Sequence, residues 1–389
     1  MHDVDSSERL SRRRYWINRI TETVVGIGGG AVIAAITLIF AYLLWVVAPI
    51  FKSADIERSN QLRAAERPTA LVDISENGEV VSRFSNDGIV EFYNQASGRA
   101  VAGFDLGLQV RSIERVYPMV DLYALIDEER LLHFVRSQHI VNFENDQRQL
   151  ASSVDFPLGR DGIAIGETTA IDTHLFDSEL LIVTANEREL VLRKYQNVEI
   201  GFGLGGAQQV TLNAGFSVSN IYIGPRNQWV YAVGETGEIE IFGIGSLKRP
   251  TRMYRGTLVE PGQTLTAIAP LLGRYSLIVG TSDGALTQYG IYSDAAGTRL
   301  DAIRQFALPS PAQRFVTEPR RKGFMALDQD GDGHLMSPTS GRELASFAAG
   351  LSAKTPMAIS ARSNALVSAP TDSDIHLLAL HNKHPEVSL

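Results

Sequence analysis

Residues 275–289 read YSLIVGTSDGALTQY, and residues 228–242 read QWVYAVGETGEIEIF. Each is a β-rich run, a short turn of Gly, Ser, Thr or acidic residues, and a second β-rich run, which is the pattern of a hairpin. Five more segments are built the same way: VVSRFSNDGIVEFYN (80–94), DLYALIDEERLLHF (121–134), ELLIVTANERELVLRKY (179–195), GFMALDQDGDGHLM (323–336) and NALVSAPTDSDIHLLAL (364–380). Their turns centre on Gly88, Glu129, Arg188, Gly237, Gly284, Gly333 and Asp374, at steps of 41, 59, 49, 47, 49 and 41 residues. A mean step of about 48 residues is the size of one four-stranded propeller blade, whereas β-sandwich modules need about 90–100.

Another short strand precedes most hairpins, as in RSIERVYP (111–118), SNIYIGP (219–225), LTAIAPLL (265–272) and RFVTEP (314–319). Three visible strands plus an outer one make a blade, and seven hairpins imply seven blades, with six or eight as the alternative counts. The fold class expected is therefore all-β, a seven-bladed, WD-repeat-like propeller over residues 68–380. The 59-residue step implies an insertion near Val141 to Arg160, where NFENDQRQLASSVDFPLGRDG has the composition of a loop. Ring closure is expected from TALVDISENG (69–78), pairing beside the last blade.

Upstream, Thr23–Phe51 reads TVVGIGGGAVIAAITLIFAYLLWVVAPIF and holds no ionisable side chain except Tyr42. Roughly 20 apolar residues cross a bilayer core, so this stretch predicts one transmembrane α-helix over 20–51. Tyr15 and Trp16 at one end and Tyr42 and Trp45 at the other stand where interfacial aromatics belong. The apolar run is too long for a signal-peptide core, so retention is expected rather than cleavage. Arg9, Arg12, Arg13, Arg14 and Arg19 precede the span with no acid among them, which places residues 1–19 in the cytoplasm and the ring outside. Residues 52–67, polar and mixed in charge, read as a helical or flexible stalk, and residues 381–389 as a polar tail. Gly26, Gly30 and Ala34 recur every four residues, a smooth stripe against which another helix can pack. The G-x-G-x-x-A match at Gly26, Gly28 and Ala31 lies inside the span, where a dinucleotide fingerprint has neither its strand nor water.

A net charge of −8 excludes a general nucleic-acid binder, and the absence of cysteine excludes disulfides, thiolate metal sites and a cysteine nucleophile. Gly280–Gly284 matches G-x-S-x-G, but a strand follows it where a hydrolase needs a helix, so it reads as a hairpin turn. Asp328, Asp330 and Asp332, at alternate positions ahead of Gly333, open like a calcium loop, although loop position twelve is Thr339 instead of Glu. The residues allow either a weak Ca²⁺ site or an Asp/Gly-rich turn. His376, His381 and His384 fit no ligand spacing and read as surface residues. No catalytic constellation stands out, and no enzyme activity is expected.

The basic start SRRRYWINRITE, the span GIGGGAVIAAITLIFAYLLWVVAPIF, the periodic β domain and the closing HNKHPEVSL together resemble the N-terminal half of the long-form permease subunit of bacterial phosphate ABC transporters. The resemblance implies a bacterial inner-membrane protein whose first helix is followed by a large periplasmic insertion. It implies as partners a second permease subunit, an ATPase, a periplasmic phosphate-binding protein and membrane lipid, with a role in phosphate import. The chain stops at Leu389 without a second span, so it is expected to be a truncated or split piece. The alternative is a free-standing membrane-tethered scaffold of the cell envelope.

Overall fold

The structure, a computed structural model, describes residues 4–48, 55–144, 147–294, 297–361 and 365–381. These form two compact units, an N-terminal helix and a β domain. The helix runs Val4–Val47, and its stretch Tyr15–Val47 is long and apolar enough to cross a membrane, with none of it buried in the protein. Such a helix is the mark of a membrane anchor or a signal sequence. It stops short of Pro49, as expected where a proline disfavours the helical conformation of the residue before it. Residues 49–51 of the expected span, and 382–389 of the expected tail, lie outside the described residues.

The β domain is seven antiparallel sheets, each built on four strands in sequential or near-sequential order, with a short fifth strand in one of them. With strands lettered a to d from the inside outward, blade 1 is Thr69–Ile74, Val80–Ser85, Ile89–Asn94 and Ala100–Asp105. Blade 3 is Ala170–Phe176, Glu179–Asn186, Glu189–Tyr195 and Ala207–Asn213, and blade 4 is Val218–Ile223, Trp229–Gly234, Glu238–Gly243 and Thr251–Thr257. Blade 5 is Leu265–Pro270, Ser276–Thr281, Ala285–Asp294 and Gly297–Ala307, and blade 6 is Ala312–Thr317, Phe324–Asp328, Asp332–Ser337 and Arg342–Ala348. Every hairpin read from the sequence is a b–c hairpin.

Blade 2 accounts for the long step. Its strands are Val110–Arg115, Leu122–Asp127 and Leu131–Glu144, and the last pairs with both Gln147–Asp155 and a short fifth strand, Ile163–Ala164. Most of the expected loop insertion is thus an extension of the c–d hairpin.

Ring closure differs from the expectation. Blade 7 is Met357–Ile359, Ala365–Ser368 and Asp374–His381, and its outer strand is Asp55–Arg63, from the segment expected to be a stalk. Residues 69–74 instead form the inner strand of blade 1. Closure thus comes one strand earlier in the chain than TALVDISENG. The Arg83 guanidinium, fully buried, fastens the junction: it donates to the carbonyls of Ala65, Arg67 and Asp372 and pairs with Glu91 at 2.9 Å.

The strand b segments of blades 1, 2, 4 and 6 are buried along their whole length, which is why VVSRFS, LYALID, WVYAVG and FMALD lack clean alternation. Seven apolar clusters hold the ring, one between each pair of consecutive blades, including blade 7 against blade 1. A closed ring of this kind has no open sheet edge between its blades. The b–c turns recur in detail as well: Leu106, Leu258, Leu308 and Leu351 each donate their N–H to the carbonyl of a turn glycine, Gly88, Gly237, Gly284 or Gly331. Gly331 has φ +84°, and a Cβ there would come within 2.8 Å of the Leu351 carbonyl, so both backbone conformation and space call for glycine. The sixth turn is therefore centred on Gly331, two residues before Gly333.

Candidate functional site

The inner strands bring charged side chains to the axis of the ring, and these are the residues that the sequence reading passed over. Asp73, on strand a of blade 1, is buried and binds the Arg115 guanidinium from strand a of blade 2. Its carboxylate also accepts from the Tyr123 hydroxyl (2.7 Å) and from the Ile74 N–H (2.7 Å). Burial in first place, and then the Asp73 charge, hold the Tyr123 phenol protonated well above its ordinary range.

Asp172, on strand a of blade 3, forms the second node. It accepts from the N–H groups of Thr173 (2.9 Å) and Ile223 (2.6 Å), and from both terminal nitrogens of Arg274 in the a–b turn of blade 5. The same guanidinium donates to the Ile223 carbonyl at 3.0 Å and stands 4.4 Å from the centre of the Tyr117 ring. Tyr117 stacks on His174 at 5.3 Å between centroids, and its hydroxyl accepts from the Gly273 N–H at 2.8 Å. His174 Nδ1 meets Asn227 Oδ1 at 2.5 Å. Its pKa is lowered, first by burial, and the nearby Arg274 charge adds to that effect. One node therefore ties together blades 2, 3, 4 and 5.

Glu114 is the third feature. It is enclosed by the ring yet open to lumen water, and it lines adjoining cavities with Arg111 on one side and with Asn220, Gln313 and Arg314 on another. Desolvation, reinforced by the Asp172 charge and only partly offset by Arg274 and Arg314, pushes its pKa up to about 7. Arg314 is anchored by donating to the carbonyls of Ala353 (3.1 Å) and Thr355 (2.7 Å). A further cavity, of about 260 Å³, lies at the other end of the inner strands between Arg115, Tyr117, Arg274, Phe315 and Met357. The axis thus sets the Glu114 carboxyl, with its raised pKa, near the ion-paired Arg115 and Arg274 and the carbonyl-bound Arg314.

The positions singled out from the sequence stand elsewhere. Asp328 ends strand b of blade 6, where its carboxylate accepts from the Asp332 N–H (2.8 Å) and meets His334 Nε2 at 3.2 Å. Asp330 is exposed in the turn and Asp332 opens strand c. Among the described residues no group of three or more His, Cys, Asp or Glu converges as a metal site. Asp328 thus closes the turn and makes a buried Asp–His contact. Ser282 lies in the b–c turn of blade 5 and its Oγ accepts from the Thr264 N–H, so the G-x-S-x-G string is a hairpin turn. His376 is half-buried on strand c of blade 7, the His381 side chain and the whole of His384 lie outside the described residues, and the three make no described cluster.

On the helix, Gly26 and Gly30 have nothing within 4 Å of the position a Cβ would take, and Ala34 is exposed one turn further on. Tyr15, Trp16, Tyr42 and Trp45 are all exposed.

No protein-family model matches the chain, and a search of curated proteins finds no similar sequence. The structure itself defines the class: a long apolar N-terminal helix followed by seven blade-like four-stranded sheets.

Proposed function

We propose that the protein is a membrane-held propeller of a phosphate-import permease, in which the ring is inserted beside the first membrane helix and acts through protein contacts. One observation carries the reading. Strand Asp55–Arg63, where the chain enters the ring, pairs antiparallel with strand Asp374–His381, where it leaves, with Asp55 opposite His381. Entry and exit are thus neighbours in one strand pair. A domain with adjacent ends can be spliced between two consecutive membrane helices without separating them. The resemblance of the N-terminal segment and span to phosphate permease subunits supplies the word phosphate. The exposed Gly26–Gly30–Ala34 stripe supplies a surface for a second helix.

Purification of the full chain from its own membrane, after cross-linking, tests the reading. Recovery of a permease subunit, its ATPase and a phosphate-binding protein is expected, and Gly26→Leu with Gly30→Leu should reduce that recovery while leaving membrane insertion intact. Recovery of envelope-assembly proteins without transporter subunits would favour the free-standing scaffold.

A further inference from the structure

The two ends of the ring are chemically different. One end carries the b–c turns, and each of the seven holds an acid: Asp87, the Glu128–Glu129 pair, Glu187, Glu235, Asp283, Asp330 and Asp372. These turns count eight acids against two bases, Arg130 and Arg188, and the d–a connections at the same end add four acids (Glu66, Asp161, Glu167, Glu260) and three bases (Arg67, Arg160, Lys354). The other end carries the a–b and c–d turns, and its described residues count eight bases against six acids. Arg99, Arg226, Lys248, Arg249, Arg320 and Lys322 are the exposed bases there.

Exposed apolar side chains follow the same division. Among the described residues, the large exposed hydrophobics of the ring are Ile140, Val141, Phe143, Phe176, Phe202, Tyr275, Tyr292 and Ile303. The first seven lie in or directly beside a–b turns, in c–d loops or at the far ends of c–d hairpins, and Ile303 stands beside Tyr292 on the outer strand of one such hairpin. None lies in a b–c turn. Phe202 is 82% exposed and Phe143 74%, degrees of exposure that a water-facing loop does not require of a phenyl ring.

Strand c of blade 7 runs from the b–c end to this second end, so Asp55, opposite His381, enters the ring there too. The apolar, basic end is the end at which the chain arrives from its membrane-length helix.

We propose that this end of the ring docks on an anionic phospholipid surface, with Phe143, Phe202 and Tyr275 entering the headgroup layer and the basic turns facing lipid phosphates. Aromatic rings and an excess of exposed bases on one face, with an excess of acids on the opposite face, is the distribution that adsorption to a negative interface selects. The inference does not depend on the phosphate-import reading.

The chain has no cysteine, so single labels report cleanly. Phe143→Cys and Phe202→Cys at one end, and Glu129→Cys and Asp330→Cys at the other, are all at exposed positions. Each full-length variant is labelled with an environment-sensitive fluorophore and placed in phosphatidylcholine nanodiscs with or without phosphatidylglycerol and with doxyl-labelled lipid. Quenching at positions 143 and 202 should exceed that at 129 and 330 several-fold. The contrast should shrink without phosphatidylglycerol and in Lys248→Glu/Arg249→Glu. Equal quenching at the two ends would overturn the proposal. Labels at 143 and 202 shielded from aqueous iodide but untouched by doxyl lipid would overturn it in favour of a protein surface.

Discussion

Blades 2 and 6 contain the same device built from different turns. In blade 2, Asp127 ends strand b, one carboxylate oxygen accepts the Leu131 N–H at 2.8 Å, and the other meets His133 Nε2 at 2.9 Å. In blade 6, Asp328 takes the Asp332 N–H at 2.8 Å and His334 Nε2 at 3.2 Å. Only the second turn, QDGD, looks like a metal loop; the first, EERL, does not. The aspartate has the same role in both, closing a tight turn and hydrogen-bonding a buried imidazole. A tight turn of this kind by itself favours Gly and short polar residues, the same residues that open a calcium loop.

The equivalence predicts matched losses. Asp127→Ala and Asp328→Ala each strand a buried histidine and an amide, so each should cost about 2–4 kcal/mol in denaturant unfolding of the full chain in detergent. A loss at Asp328 much smaller than that at Asp127 would break the comparison.

The turns themselves should respond oppositely. Gly331 and Arg130 are the corresponding positions, with φ +84° and +64°. Gly331→Ala places a Cβ against the Leu351 carbonyl and should cost about 1–3 kcal/mol. Arg130→Gly relaxes a non-glycine residue from the left-handed region, a gain of about 1 kcal/mol at most, partly offset by losing its exposed pair with Glu167. Unfolding midpoints that fall in both variants would show that the two turns do not share a conformational rule.

The second nitrogen of each histidine separates the blades. His133 Nδ1 meets the Arg160 carbonyl, whereas His334 Nδ1 meets the Glu343 carboxylate at 2.9 Å. Burial alone would lower the His334 pKa, but Glu343 and Asp328 outweigh it and the pKa is raised above the ordinary 6.5. A histidine with a raised folded-state pKa contributes stability fully at pH below 6.5, and that contribution is lost as pH rises through the folded value. Glu343→Gln should lower the His334 pKa in an NMR titration and move the loss to lower pH. An unchanged titration would remove Glu343 from the account.

How much of this was legible follows from where the signals lie. The b–c hairpins and their period were readable because strand runs and turn chemistry are local. The closing strand Asp55–Arg63 was not, since DIERSNQLR lies on an outer edge where, among its described side chains, Leu62 is buried in the apolar core and Ile56 packs partly against it, and it otherwise carries linker composition. The axial nodes were missed because Asp73, Arg115, Asp172 and Arg274 come from four blades and meet only after the ring closes. The signal that was available is a charge inside a short apolar inner strand, as in TALVDI and RSIER. The Asp–His pairs, six residues apart in both blades, were also present in the sequence, masked in one case by the calcium-like string.

Asp330 provides the smallest and most discriminating test. It has no counterpart role in blade 2, where Glu129 occupies the same turn position, and it is exposed as Glu129 is. If the string is a turn, Asp330→Ala should change stability by no more than about 0.5 kcal/mol, the usual range for surface substitutions, both with and without millimolar calcium. If the string were a cation loop, calcium would stabilise the wild type and not the variant, because a ligand bound only to the folded state adds to its stability. Calorimetric titration of the full chain with Ca²⁺ reads the same alternative directly. Heat lost in Asp330→Ala but kept in Glu129→Ala would assign metal binding to blade 6 alone, and would show that the two Asp–His hairpins diverged in function while keeping one geometry.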